Sequence, residues 1–308
     1  MKLQHLRALV AIVDEGSFSG AALCLGTSQS TVSNAVAELE EELGVRLLDR
    51  GRFGATPTEV GTRVAAHARR LEGVVSAIVQ EAQLEKGDLR GTLRVSSFRS
   101  AATHVLPAVI DGLRGRHPGL RVEVHEVDSR CAVVSPALNA GTVDVALTMS
   151  ILVDDTVFWE ILRDRYVAVV PDGFGHNDRA MSIEHMLEHP LILSDGPCSL
   201  PLRQRLLALE PAFRPSFEIS EDSTIIALVA QGLGVALLPE LAVGVLPPGV
   251  RRLELAERIE RSVGVALATS SLKIPSVRAF LRVVRDLYPS SDVPSLAEPA
   301  SPVHSATA

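Results

Sequence analysis

GSFSGAALCLGTSQSTVSNAVAELEEELGVRLLDRGRFGATPTEVG, residues 16–61, decides the fold. Gly16 and Gly26 bracket a run with room for one short helix: Ser17 is its N-cap candidate, Ala21, Ala22 and Leu25 its apolar side, and Gly26 its stop. A second helix starts near Ser28. Its apolar positions Val32, Val36, Leu39 and Leu43, spaced 4, 3 and 4, mark the face expected to turn inward. Two short helices joined by a Gly-containing turn make a helix-turn-helix. Residues 45–57 carry Arg46, Arg50 and Arg52 with Gly51 and Gly54, which suits a small β-wing, and Thr58 can cap the next helix. Ahead of this stretch, Leu6, Leu9, Val10 and Val13 at i, i+3, i+4, i+7 form one more helix, which Gly16 ends.

The helix that follows Thr58 is expected to run from about 59 to 86, where Gly87 and Asp88 break it. Val64, Ala68, Leu71, Val75, Ile78 and Ala82 follow one another at alternating spacings of 4 and 3. This is an a/d seam of nearly three heptads on a rod ~40 Å long. A stripe of this kind needs a partner, so self-association as a coiled coil is favoured over packing on its own domain.

From Gly91 onward the period changes. Short β-rich runs at 92–98, 120–126, 143–148, 165–170, 191–194, 234–238 and 262–268 alternate with helical stretches at 101–116, 132–139, 200–209 and 223–231. The alternation argues βαβ units and a mostly parallel sheet with helices on both faces. About 200 residues fit two smaller sheets with a cleft between them better than one sheet, and ligands in such folds lie beyond the carboxyl ends of strands. Residues 290–308 are rich in Pro, Ser and Ala without Lys or Arg, and are read as a disordered tail.

Composition agrees with a folded two-domain protein. The 308 residues are 46% hydrophobic and 22% charged, which excludes wholesale disorder and collagen-like classes. Aromatic residues are only 4%, so there are few stacking platforms for single strands. The net charge of -7 gives no footprint of a protein that simply coats DNA or an anionic membrane. Cys24, Cys131 and Cys198 lie far apart, with no Cys-x-x-Cys pair and no histidine at ligand spacing from them. Neither a disulfide framework nor a metal site is expected from them, and no cofactor is implied. The N-terminus is charged within its short apolar run, unlike a signal peptide. The longest uncharged run, 223–239, is short of a bilayer span and broken by Gly232, Gly234 and Pro239. A cytoplasmic location with no membrane partner follows as the expectation.

Residues 16–61 resemble the winged helix-turn-helix signature of LysR-type transcriptional regulators. The matching positions are Gly16, Ser17, Phe18, Ala21 and Ala22; Ser28, Gln29, Val32 and Ser33; Leu39, Glu40, Leu43 and Gly44; and Thr58 with Gly61. Weaker echoes follow in Arg116-His117-Pro118-Gly119, in residues 141–146 and in residues 232–239. The resemblance implies a DNA-binding domain at 1–58, a dimerising linker helix at 59–87, and an effector domain of two Rossmann-like subdomains like those of periplasmic binding proteins. Subdomain I is expected at 92–161 and 267–289, and subdomain II at 162–266. The implied partners are double-stranded promoter DNA, a small-molecule effector, further copies of the chain as dimer or tetramer, and RNA polymerase.

With Val32, Val36 and Leu39 turned inward, Gln29, Ser30, Ser33 and Asn34 face outward near the helix N-terminus, the end that enters the major groove. Gln29 and Asn34 can bond adenine bidentately, and Ser28, Ser30, Thr31 and Ser33 can reach bases or phosphates. Arg46, Arg50 and Arg52 are phosphate candidates on the wing. The sequence departs from the family at three places: Asn34 stands where Arg is common, Thr27 where an apolar residue is usual, and Phe53 in a wing that is often more basic. Residues 1–61 hold five Lys/Arg (Lys2, Arg7, Arg46, Arg50, Arg52) against eight Asp/Glu (Asp14, Glu15, Glu38, Glu40, Glu41, Glu42, Asp49, Glu59), a formal -3. Non-specific affinity should be modest and its salt dependence shallow.

The resemblance also places the effector between the subdomains, near Phe98, Arg99 and Ser100 after the first strand, Ser129 and Arg130 after the second, and Met149 at the strand before the crossover. Asp195, Cys198 and Ser223 come from subdomain II. Hydroxyls and helix N-termini suit a small anion, a carboxylate in particular, with Arg99 or Arg130 as its partner. Cys131 and Cys198 near the cleft mouth invite comparison with peroxide-responsive members, but a free Cys is more often a small buried hydrophobe. No catalytic arrangement is present, so an enzyme is not expected. The alternative is a cytoplasmic solute-binding or enzymatic α/β protein whose N-terminal helices only dimerise.

Overall fold

The computed structural model describes residues 1–51, 54–126, 134–153, 156–174 and 180–293. Caps set its N-terminal helices. Helix α1 (Leu3–Glu15) ends at Gly16, whose φ of 66° is left-handed. Helix α2 (Phe18–Cys24) starts where the Ser17 hydroxyl accepts the Gly20 N–H at 3.0 Å, and α3 (Gln29–Leu43) where the Ser28 hydroxyl accepts the Thr31 N–H at 3.1 Å. Strands β1 (Leu48–Gly51) and β2 (Gly54–Pro57) pair antiparallel as the wing. Leu9, Ile12, Ala21, Val32, Val36, Leu39 and Leu47 bury together as one core. Leu43 does not join it and is exposed: Leu47 and Leu48, entering the wing, close the core in its place.

Several motif residues turn out to hold the wing against the helices. The Glu40 carboxylate accepts the Leu47 and Leu48 N–H groups at 2.7 and 3.1 Å, and the Ala55 N–H donates to the Gly16 carbonyl at 2.9 Å. Thr58 caps α4 (Glu59–Leu84), its hydroxyl accepting the Gly61 N–H at 2.9 Å. A Cβ at Gly61 would collide with the Leu47 carbonyl oxygen, so α4 can approach the wing this closely only through glycine. The helix stops at Leu84, two residues short of the expected end, in a turn completed by Gly87 at φ 68°.

The chain continues as β3 (Gly91–Ser97), α5 (Arg99–His104), α6 (Leu106–Arg116), β4 (Leu120–Glu126), α7 (Ser135–Ala140), β5 (Val145–Met149) and β6 (Val157–Pro171). Then come β7 (Ala180–Met181), α8 (Ile183–Leu187), β8 (Leu191–Ser194), α9 (Leu200–Leu209), β9 (Phe217–Ile219) and α10 (Asp222–Ala230). Last are β10 (Val235–Pro239), α11 (Glu240–Val243), β11 (Val250–Leu255), β12 (Glu260–Leu267) and α12 (Pro275–Leu287). The single helix expected at 101–116 is two, α5 and α6, with Pro107 in the first turn of α6, where a missing N–H is tolerated.

Two sheets share β6. In the first, the order is β4-β3-β5-β12-β6, with β3 parallel to β4 and β5 and with β12 antiparallel to both β5 and β6. In the second, the far end of β6 pairs antiparallel with β10 and β11, β10-β8-β9 run parallel, and β7 adds to β11. The sheets are thus mixed rather than mostly parallel, because the strands that carry the chain between the lobes run against their neighbours. Strand β12 lies with the first lobe, burying Val263 and Val265 beside Val95 and Phe280, although residues up to 266 were expected in the second. By pairing, β6 changes sheets between Arg165 and Tyr166 rather than at 161.

Residues 290–293 belong to the folded body and not to a tail. Val293 is buried in the first lobe's core and the Asp292 N–H donates to the Glu160 carbonyl at 2.9 Å. Residues 294–308 lie outside the described residues.

Candidate nucleic-acid interface and effector cleft

On α3 the partition between core and surface is clean. Val32, Val36 and Leu39 are almost fully buried, Gln29, Ser30, Thr31 and Asn34 are exposed, and Ser33 is half-buried. The Ser28 hydroxyl lies 2.8 Å from both the Ser30 and Thr31 hydroxyls, so these three groups satisfy one another. The amides of Gln29 and Asn34 have no hydrogen bond among the described residues and stand ready for an outside partner. Arg50 rests its guanidinium over the Phe18 ring at 5.0 Å, fixing it between α2 and the wing. Arg46 is exposed and has no ion pair among the described residues, while Arg52 and Phe53 lie outside them.

Helix α4 divides its expected seam. Ala68 is buried in the winged-helix core and Val64 packs against it, so these two serve their own domain. Leu71, Val74 and Ile78 are 44%, 58% and 66% exposed, and Ala82 is exposed with Val75 half-buried beside them. An adjoining face docks on the effector domain, and Val74 and Ile78 edge the groove between the two. There the buried Gln80 accepts the Ser276 N–H at 3.0 Å, Arg70 donates to the Asn139 carbonyl at 2.6 Å, and Glu81 pairs with Arg278 at 2.7 Å. The rod therefore has one face covered by its own lobe and an apolar face left open.

Between the lobes lies a buried charge centre that sequence reasoning missed. Asp164 on β6 and Arg261 on β12 are 1% and 3% exposed at their side chains and pair at 2.7 Å. The second carboxylate oxygen of Asp164 accepts the Leu241 N–H of α11 at 3.0 Å, and Arg261 donates to the Ser100 hydroxyl of α5 at 2.8 Å. One ion pair so ties an element of each lobe to the strands that cross between them. Phe98 lies under the Arg261 guanidinium at 5.0 Å. Cys198 and Asp222 feel Arg261 from the second lobe. Burial nevertheless pushes the thiol of Cys198 above its ordinary range, and burial raises Asp222 against the pull of Arg261 and Arg99. Burial also raises the Tyr166 phenol, whose hydroxyl donates to the Cys198 carbonyl.

Of the residues expected at the effector site, Phe98, Ser100 and Cys198 gather around Arg261. Arg99 reaches across the cleft to a bidentate ion pair with Glu221, its NH2 lying 2.8 Å from Oε1. Ser223 is exposed in the first turn of α10, next to Asp222. Asp195 is exposed and accepts the Ser220 hydroxyl at 3.0 Å, and Met149 is buried at the end of β5 opposite Val263. No hydrogen bond among the described residues joins Met149 or Asp195 to Arg261. Ser129, Arg130 and Cys131 lie outside the described residues. The sequence carried little signal for the missed pair: Asp164 stands between Arg163 and Arg165, and Arg261 follows Glu260, so neither reads as a lone charge in an apolar run.

A helix-turn-helix with an open polar recognition face, a rod, and a two-lobed α/β domain define a regulator architecture, and comparison with known proteins agrees. The family model described as the bacterial regulatory helix-turn-helix protein, lysR family, matches residues 3–62, and that of the LysR substrate binding domain matches 86–289. A probable HTH-type transcriptional regulator, LrrA, of Synechococcus elongatus is 43% identical over 290 residues, covering 94% of this chain and 98% of its own. A probable hydrogen peroxide-inducible genes activator of Mycobacterium leprae is 31% identical, covering 92% and 93%. In structure, a full-length OxyR variant of Pseudomonas aeruginosa superposes with a TM-score of 0.76 over 97% of this chain and 99% of its own, at 24% identity. The chain belongs to the LysR family of transcriptional regulators and carries that family's DNA-binding and effector-binding domains. Among the described residues no helix is long and apolar enough to cross a membrane.

Proposed function

We propose that residues 1–58 bind promoter DNA through the N-terminal half of α3, with Gln29 and Asn34 reading base edges in the major groove. Ser28, Ser30, Thr31 and Ser33, with Arg46, Arg50 and Arg52 of the wing, hold the phosphates on either side. The observation that carries this reading is the partition of α3: its apolar positions are spent on the core, and its unpartnered amides face outward. Two chains join through the open stripe of α4 formed by Leu71, Val75, Ile78 and Ala82, and paired effector domains build the dimer into a tetramer. The protein works in the cytoplasm, alongside RNA polymerase, and has no enzymatic activity.

The effector enters between subdomains I and II, close to Phe98, Arg99, Ser100, Cys198 and Ser223. Arg99 is held by Glu221, so a carboxylate effector acts by taking the place of Glu221 on Arg99. That exchange releases a contact between α5 of one lobe and the start of α10 of the other, and shifts a pre-existing equilibrium between lobe arrangements. A neutral compound has no such exchange to offer. A gel shift with the DNA upstream of the protein's own coding region tests the reading: a retarded complex that small acids alter is expected. A solute-binding protein whose N-terminal helices only dimerise would leave that DNA unshifted.

A further inference from the structure

On the outer side of the second lobe, away from the cleft, His185, Glu188 and His189 bring one ligand atom each to within 4.8 Å of one another. Among the described residues this is the one group of three such side chains. The spacing His-x-x-Glu-His puts all three on one side of α8 and the turn that continues it, since residues three and four apart are neighbours on a helix. Cysteine spacing gave no hint of this group.

The backbone that carries them is pinned throughout. Ser182 caps α8 by accepting the His185 N–H at 3.2 Å, and Ile183 and Met186 are fully buried in the lobe's core. The Glu188 and His189 N–H groups donate to the carbonyls of His185 and Met186, each at 3.2 Å. Beyond them, the Pro190 carbonyl accepts the Val235 N–H at 2.9 Å and so anchors the turn to β10. The side chains are arranged as well. The Phe174 ring meets His189 edge-on at 4.6 Å and His185 at 5.8 Å, and the two imidazoles stand nearly perpendicular, 5.3 Å apart. Nδ1 of His185 already lies 3.0 Å from Oε2 of Glu188.

We infer that this group binds one divalent transition-metal ion of the zinc class. Two imidazoles and one carboxylate are the donor set that suits zinc, cobalt, nickel and copper, and Mg²⁺ or Ca²⁺ would want oxygen ligands instead. Donors ~2.1 Å from a tetrahedral ion lie roughly 3.4 Å apart. The 3.0 Å separation of His185 and Glu188 is close to that, and side-chain rotation of His189 brings in the third donor. Three protein ligands leave the remaining coordination to water, and the ion fastens α8 to the turn before β8.

The test uses the full chain without an affinity tag, stripped with chelator and titrated with Co²⁺ and then Zn²⁺. The expected result is one saturable Co²⁺ per chain with visible d–d bands, displaced by Zn²⁺, and slower amide exchange over residues 182–190. Loss of an outer-shell partner already weakens a metal site by about 10–100-fold, so E188Q should weaken binding by at least tenfold and the H185A/H189A pair should abolish it. The E188Q variant keeps the side chain's shape, and an amide-exchange pattern over β8 and β10 equal to that of the metal-free native chain confirms that the second lobe of each variant is folded. No saturable Co²⁺ in the native chain, or binding unchanged in folded H185A/H189A, would overturn the inference.

Discussion

Replacing Arg261 by Met removes the charge that neutralises Asp164 at the junction of the lobes while leaving an unbranched stem of similar reach to fill the space. Arg261 donates to Asp164 through Nε at 2.8 Å and NH2 at 2.7 Å, and to Ser100 at 2.8 Å. Among the described residues, the Leu241 N–H is then the one group still donating to a carboxylate that is 1% exposed. Removing one partner of a buried pair destabilises by about 3–5 kcal/mol, while replacing both with apolar or neutral groups is often near neutral. The chain has a single tryptophan, Trp159 on β6, packed against the first lobe's core, and its fluorescence follows unfolding of this domain in urea. With an m-value of roughly 2–3 kcal/mol/M for a domain of this size, the midpoint of R261M should fall by about 1–2.5 M. The double variant R261M/D164N should recover most of that loss. A fall of less than about 0.3 M in R261M, or a double variant no better than the single one, would refute the view that the pair's charges hold the lobes in register.

Three further outcomes follow. Gly61→Ala places a methyl group against the Leu47 carbonyl oxygen, so it should destabilise the winged helix by about 1–3 kcal/mol and lower DNA binding; a melting temperature and affinity equal to wild type would contradict the close approach. Asp222 is raised by burial, so its contribution to stability is present at low pH and lost as pH rises through its folded-state value. Asp222→Asn should accordingly raise the urea midpoint at pH 7, with the advantage shrinking below about pH 4; a wild type more stable than the variant at pH 7 would show that Arg99 and Arg261 outweigh burial. Cys24 is exposed, whereas burial holds the Cys198 thiol protonated at neutral pH, so a thiol reagent should label Cys24 well ahead of Cys198 in the native chain. Faster labelling of Cys198 would point back to a peroxide sensor.

Local signals made the N-terminal domain legible. Ser17, Ser28 and Thr58 cap the helices that their positions announce, and Val32, Val36 and Leu39 take the inward face. Leu43 misled because helical period says nothing of where the chain leaves the core. The a/d stripe of α4 was visible, but not that Val64 and Ala68 serve their own domain, since that depends on how the rod meets the wing. In the effector domain the strands at 120–126 and 191–194 and the helix at 200–209 were plain, whereas most of β6 was hidden by Glu160, Arg163 and Asp164. The pairing of Asp164 with Arg261 joins residues 97 positions apart and is set by antiparallel register, which no local pattern encodes. The Arg99–Glu221 bridge is likewise tertiary, so a cation read as open to a ligand proves to have a carboxylate partner.

The most direct measurement is fluorescence anisotropy of wild type and the Q29A/N34A variant on duplex from the protein's own upstream region and on random duplex, across a range of salt. Each bidentate base contact accounts for about 1–3 kcal/mol of discrimination, so the variant should lose at least tenfold on the upstream DNA and little on random DNA. Both proteins should show a shallow dependence of log K on log salt, in keeping with a formal -3 on residues 1–61. Equal affinity of variant and wild type for the upstream DNA, or a slope equivalent to ten or so released counterions, would contradict recognition by the uncharged face of α3.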